Sequence, residues 1–232
     1  MRSSMLTGAA AAAAALALVL TGCGSDTKTA ESSSTSAESS TTSSTSSAAE
    51  TTSEAAPAPA GQTVAEYINE NGITQTVVEP GGEGVPMVDL PTPEGWVTTQ
   101  EGLPEGSYGG VRYTGPDANP EFPPTIFAYL SRLDGDVDPA TLLSLAGNEL
   151  KGLPDYQGND GAPGTLSGFE AYEIAGVATL EGAPRFVAQK TVMIPGADGL
   201  YMLLLNAYSM PDQQAILGTA MGQIENGTTI TP

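Results

Sequence analysis

From Gly24 to about Gln62 the chain carries no valine, leucine, isoleucine or aromatic residue, and this gap constrains what the rest can fold into. The stretch is mainly Ser, Thr, Ala and Glu and closes on Ala56-Pro57-Ala58-Pro59-Ala60-Gly61. It cannot bury enough apolar surface to offset chain entropy, so it reads as a disordered tether. Roughly 38 flexible residues have an r.m.s. span on the order of 35 Å and an extended limit of about 130 Å. That suits a spacer lifting a domain off a surface; a generic linker of unselected length is the plainer reading. The Ser/Thr/Pro bias also fits an O-glycosylated stalk. Folding is thereby confined to residues 63–232, the length of one domain with enough apolar residues for a substantial core.

Ahead of the tether, Arg2 gives a short positive start, Met5 to Leu20 an apolar run, and Leu20-Thr21-Gly22-Cys23 a close of small residues before the single cysteine. Residues 1–22 are expected to be a lipoprotein signal peptide. Cys23 is then the site of diacylglyceryl attachment and the first residue after cleavage. A membrane-spanning helix fits less well, since about 20 predominantly apolar residues are needed and this run is shorter. A plain secretory signal would leave Cys23 without a purpose. Two acyl chains give stable anchoring where one is marginal.

Seven Lys+Arg against 27 Asp+Glu leave a net charge of −20. Phosphate backbones and anionic headgroups are repelled, which excludes nucleic acid as a partner and a polybasic membrane attachment. The membrane partner is reached through the covalent lipid. One cysteine, destined for a thioether, leaves none for a disulfide. The absence of histidine removes imidazole triads, His-ligated zinc and His proton shuttles.

Within the domain, Thr63-Val-Ala-Glu66 has capping-box spacing and opens a helix ending near Asn71-Gly72. Strands are expected over 73–78, 87–90, 96–99, 108–114 and 125–133. Asp138-Pro139 caps and opens one continuous helix through Leu142, Leu145 and Leu150, stopped by Gly152 and Pro154. Three runs, 169–180, 185–194 and 200–208, are expected to pair as an antiparallel meander, with turns at 181–184 and 195–199. A last helix carries Ile216, Leu217, Ala220 and Ile224 to Asn226-Gly227. The element order predicts an α+β domain with helices packed on a mainly antiparallel sheet.

Several segments carry a family resemblance: Val88-Asp-Leu-Pro-Thr-Pro-Glu-Gly-Trp96, Val137-Asp-Pro-Ala140, Leu150-Lys-Gly-Leu-Pro154, Leu166-Ser-Gly-Phe169, Ala188-Gln-Lys-Thr-Val-Met-Ile-Pro-Gly196 with Asp198-Gly-Leu-Tyr201, and Thr228-Thr-Ile-Thr-Pro232. Together they resemble the LpqN/LpqT family of lipoproteins from mycobacteria and relatives, across the whole folded region. The resemblance implies a PsbP-like fold, a mycolic-acid type of envelope, and a loosely defined role in envelope biogenesis or partner binding. It implies no catalytic residues.

Isolated motifs favour plainer accounts. Asp134-Gly-Asp-Val-Asp138 has acidic calcium-loop spacing but Pro139 and Leu145 where an EF-hand wants Gly and Glu, so Asp138 reads as a helix cap and no metal is expected. Ser25-Asp-Thr-Lys28 lies in the tether, and Gly81-Gly-Glu-Gly84 lacks the Lys-Ser/Thr of a phosphate loop. Glu170 and Glu173 fall on opposite faces of a strand and cannot form a facing acid/base pair. No cofactor is expected.

Candidate binding residues remain. Arg112, Arg132, Lys151, Arg185 and Lys190 are the domain's cations, and a converging pair would mark an anionic or sugar-headgroup site. Lys190 alternates with Phe186, Ala188 and Val192, which places it on a mostly apolar face; a snorkelling stem or a carboxylate partner is the plainer reading. Trp96 with Tyr108, Tyr113, Phe127 and Tyr129 could line a groove, helped by the space Gly109-Gly110 leaves beside Tyr108, although such residues more often belong to the core. Trp96, Tyr108 and Lys190 are thus the candidate ligand-binding residues. The leading expectation is a non-catalytic, lipid-anchored binding domain on the extracytoplasmic side of the cell membrane, acting through envelope protein partners. The alternative is a carrier of a lipid or glycolipid.

Overall fold

The computed structural model of the chain describes residues 61–232. The segment expected to be a signal peptide, Cys23, and the expected tether as far as residue 60 lie outside the described residues.

Helix α1, Val64–Glu70, starts where the capping box places it: the Glu66 amide donates to Thr63 Oγ1 at 3.2 Å and the Thr63 amide to Glu66 Oε2 at 2.8 Å. Two of the otherwise orphaned amides of the first turn are thereby satisfied. Strands β1 (Thr74–Val77), β2 (Met87–Asp89), β3 (Trp96–Thr99), β4 (Gly109–Tyr113) and β5 (Thr125–Asp134) follow. The helical region after Asp138 is two pieces, α2 (Pro139–Leu145) and α3 (Asn148–Lys151), rather than one continuous helix. The break falls at Ala146-Gly147, where the chain presses so close to the sheet that a Cβ on Gly147 would stand 3.1 Å from both Ile174 and Tyr172. Two short edge strands without sequence signal, β6 (Gln157–Gly158) and β7 (Ala162–Leu166), precede the long meander β8 (Phe169–Leu180), β9 (Ala183–Gly196) and β10 (Gly199–Ser209). The hairpin turns are tighter than expected, two residues each at Glu181-Gly182 and Ala197-Asp198. Positive φ at Glu181 (52°) and Gly182 (76°) matches the twist of such a turn to the strands. A 3-10 turn, Pro211–Gln213, leads into α4, Gln214–Gly227, and the chain closes on β11, Thr229–Thr231.

The nine-stranded sheet runs β3-β4-β5-β10-β9-β8-β6, with β1 also on β5 and β7 also on β8. Every pairing is antiparallel. Strands β1 and β4 share one edge of β5: Thr74–Val77 lie opposite Ser131–Asp134, and Gly109–Arg112 opposite Thr125–Ala128. A separate two-stranded sheet joins β2 to β11, so the last residues close onto the region just after α1 and β1.

Strand alternation divides the core. On one face Leu130, Leu203, Leu205 and Val192, all fully buried, pack beneath Leu217, Ala220 and Ile224 of α4. Burying each such leucine stabilises by about 1.5–3 kcal/mol. On the opposite face Leu133, Met193 and Met202 meet Val64 and Ile68 of α1 and Leu142 and Leu145 of α2, while Leu150 of α3 packs on Ile174, Ala178 and Val187. The expected α+β class, helices flanking a mainly antiparallel sheet, is what the chain adopts.

Candidate functional site

Helices α1 to α3 are too short to cover their whole face. Toward the other end of the strands a groove stays open between the loop carrying Leu103 and Pro104 and the side of α3. Its floor is set by register: Phe127 of β5 lies opposite Asn206 of β10, which lies opposite Gln189 of β9. Tyr129 and Tyr208 flank that row. The Phe127 ring stacks on Tyr208 (centroids 5.7 Å apart, planes at 16°) and meets Tyr129 edge-on at 5.7 Å. Gly110 makes the wall possible, because a Cβ there would fall 2.7 Å from Leu103 Cδ1 and 2.8 Å from the Ile126 carbonyl.

The groove has two connected sections that share Pro104, Phe127, Leu180 and Tyr208. The outer one, about 750 Å³, is bordered by Arg112, Arg185, Phe122 and the prolines at 120 and 123. Arg185 lies 4.2 Å above the Phe122 ring and donates to the Pro184 carbonyl at 3.2 Å; Arg112 donates to the Glu101 carbonyl. Among the described residues the ion pairs belong to Arg132 and Lys190, so the two groove arginines keep their charge uncompensated by a close carboxylate. Glu121 and Glu181 sit exposed on the same rim.

The inner section, about 370 Å³, is walled by Leu150, Leu153, Val187 and Leu204 and carries Glu149. Burial raises the Glu149 carboxyl above the usual carboxylate range, and the Ala65 amide directed at it opposes that only in part. Tyr208 is raised by burial first, then by Tyr129 and by the charge of Glu149. Gln189 is 6 % exposed; its Nε2 donates to Asn206 Oδ1 at 3.2 Å, and its Oε1 is buried with no partner. A buried acceptor without a donor costs about 1–3 kcal/mol.

The residues singled out from sequence are dispersed. Trp96 is buried on the α4 face, 5.5 Å from the Tyr113 ring. Tyr108 is also on that face, its hydroxyl accepting from the Val88 amide at 3.3 Å, and it lines a separate cleft of about 250 Å³ beside Gly109 and Gly110. Phe127 and Tyr129 point the other way, which corrects the expectation of one aromatic groove: Tyr113 shares the parity of Val111, and Tyr108, just ahead of β4, packs in the same cluster, whereas 127 and 129 oppose the parity of the core residue Ile126. Lys190 is held between strand and helix, 2.9 Å from Glu173 Oε2 and 2.5 Å from Glu225 Oε1. Burial, the largest single influence, lowers its pKa, but the two carboxylates outweigh it and the net shift is upward. Arg112 and Arg185 do converge. Glu149, Gln189, Asn206 and Tyr208 were not singled out; the three on strands offered one signal, polarity at alternate positions in otherwise apolar runs, and Glu149 on α3 offered none.

The class is an α+β domain, an antiparallel sheet covered by a helix on one face and left partly open on the other. The family described as "Probable lipoprotein LpqN" matches residues 60–231, so the chain belongs to the LpqN family of lipoproteins. Lipoprotein LpqN of Mycobacterium tuberculosis is 50% identical over 217 residues, covering 92% of this chain and 93% of that one. The crystal structure of LpqN, a protein described as involved in cell envelope biogenesis of Mycobacterium tuberculosis, superposes with a TM-score of 0.69 at 44% identity, covering 75% of this chain and all of that one. The solution structure of cyanobacterial PsbP from Synechocystis sp. PCC 6803 gives a TM-score of 0.43 at 10% identity.

Proposed function

We propose that the protein is a membrane-anchored, non-catalytic binding domain of the cell envelope, lipidated at Cys23 on the extracytoplasmic side, and that it engages a protein partner through the groove floored by Phe127 and Tyr208. The observation that carries this is the contrast between the two faces. The α4 face packs Leu130, Leu203, Leu205 and Leu217 into a fully buried layer, whereas the opposite face leaves stacked aromatics and two carboxylate-free arginines along an open groove. Exposed Val97 (46 %) and Val77 (51 %) share that face, opposite Arg112 and Ser131. Apolar anchors ringed by charge are the usual make-up of an interaction surface. The relative's described role in envelope biogenesis supports the setting.

The test is photo-crosslinking in the native host with the reactive residue at Val97, and at exposed Thr219 on α4 as control. A discrete protein adduct at 97 that is absent at 219 is the expected result. Equal labelling at both positions, or none at 97, removes the groove as the working surface. A second reading, carriage of a lipid or glycolipid, draws on the aromatic floor; the same variant would then crosslink to an organic-extractable species of low mass.

A further inference from the structure

We infer that the inner section of the groove is a receptor for a single ammonium group, and that the partner inserts a lysine side chain there. This rests on the groove being the protein-binding surface. Three features converge, the aromatic rings, the leucine walls and a carboxylate. Phe127, Tyr129 and Tyr208 present three rings in contact, one stacked pair and one edge-on pair, around a space bordered by Leu150 and Leu153. Such an arrangement favours a cation over the ring faces and an aliphatic stem along the leucines. Glu149 supplies a carboxylate within the same walls. Gln189 and Asn206, joined to each other at 3.2 Å, complete the polar part of the lining.

Charge elsewhere agrees with this polarity. The chain's net charge of −20 draws a basic partner surface toward the domain. Arg112 and Arg185 then repel a cation from the outer section, so a lysine is directed inward and the partner is oriented. An arginine is a poorer fit, because its planar fork needs carbonyls or carboxylates laid out side by side, and here the section offers one carboxylate.

The full chain in phosphatidylcholine nanodiscs would be titrated with fluorescein-labelled heptapeptides that differ only at the central residue, lysine, norleucine or serine. Lysine is expected to bind about tenfold more tightly than norleucine or serine. Glu149→Gln should abolish that preference, whereas Glu79→Gln, which removes an equal charge from an exposed site, should leave it intact. Serine bound as well as lysine would make the section a hydroxyl site, and a preference unchanged in Glu149→Gln would reduce it to long-range attraction; either outcome overturns the inference. Crosslinking at Val97 that persists in Glu149→Gln would show the groove still to be the working surface, with the error confined to the ammonium.

Discussion

Lys190 Nζ lies 2.5 Å from Glu225 Oε1, a contact that ties the middle of β9 to the last turns of α4 across 35 positions of sequence. The lysine side chain is 4% exposed, whereas Glu225 and Glu173 are 35% and 50% exposed. The cation is therefore the group that suffers when the pair is broken. Glu225→Ala, which leaves a buried charge with one partner, is expected to lower stability by about 1–2 kcal/mol, less than for a fully buried pair because solvent screens the carboxylates. Lys190→Met, flanked by Leu217 and Met221, should cost less. Urea denaturation of both variants checks the order. Because the folded-state pKa of Lys190 is raised, its contribution is complete at neutral pH and is lost only as pH climbs above the ordinary lysine value and through the folded one.

Gly110 should not tolerate alanine. The added methyl would meet Leu103 Cδ1 at 2.7 Å, the Ile126 carbonyl at 2.8 Å and Phe127 Cβ at 3.0 Å, and the backbone oxygen cannot move aside as a side chain can. A loss of about 1–3 kcal/mol is expected, accompanied by displacement of the 100–107 loop that walls the groove. Thermal unfolding measures the first effect. Amide exchange around Leu103, faster in the variant, reports the second.

Glu149 predicts the opposite sign. A carboxyl whose folded-state pKa is raised stabilises the fold only while protonated; that contribution is present below the ordinary carboxylate range and lost as pH rises through the raised folded value. At neutral pH, then, Glu149→Gln should be at least as stable as the parent. The gap should close on acidification to below ordinary carboxylate values, where the parent residue is neutral too. Melting temperatures of the two proteins across that window decide it; a parent more stable at neutral pH would mean that the Ala65 amide outweighs burial.

What could be read in the sequence were features whose cause is local. Thr63 and Glu66 are three residues apart and satisfy each other, and Asp138 accepts from the Ala140 amide at 3.1 Å, so both helix starts stand where expected. The meander follows from long β-rich runs parted by glycine turns. Strand β7 was hidden because Pro163 and Gly164 erase its alternation, which an edge strand tolerates. Strand β11 exists by virtue of Val88, more than a hundred residues earlier in the chain. The site was hidden for the same reason: Gln189 and Asn206 become neighbours through the β9–β10 register, and they line one section with Glu149 only because α3 follows the helix break at Gly147. Local rules place elements, but a groove is a relation between elements.

Arg185 is the residue through which the outer groove keeps its shape. Its guanidinium covers the Phe122 ring at 4.2 Å, and the loop below is fixed by Asn119 Oδ1, which accepts from the amides of Glu121 and Phe122, each at 2.9 Å. Arg185→Lys keeps the charge but replaces a flat, weakly hydrated cation with a strongly hydrated point charge that stacks less well. The expected loss of stability is small, about 0.5–1 kcal/mol, since the contact is only half-buried. The informative readout is local: amide exchange at Phe122 should quicken in Arg185→Lys while α4 and the central strands keep their protection. If exchange at Phe122 is unchanged, the asparagine alone holds the loop, and Arg185 is free to turn its whole hydrogen-bonding capacity toward a partner.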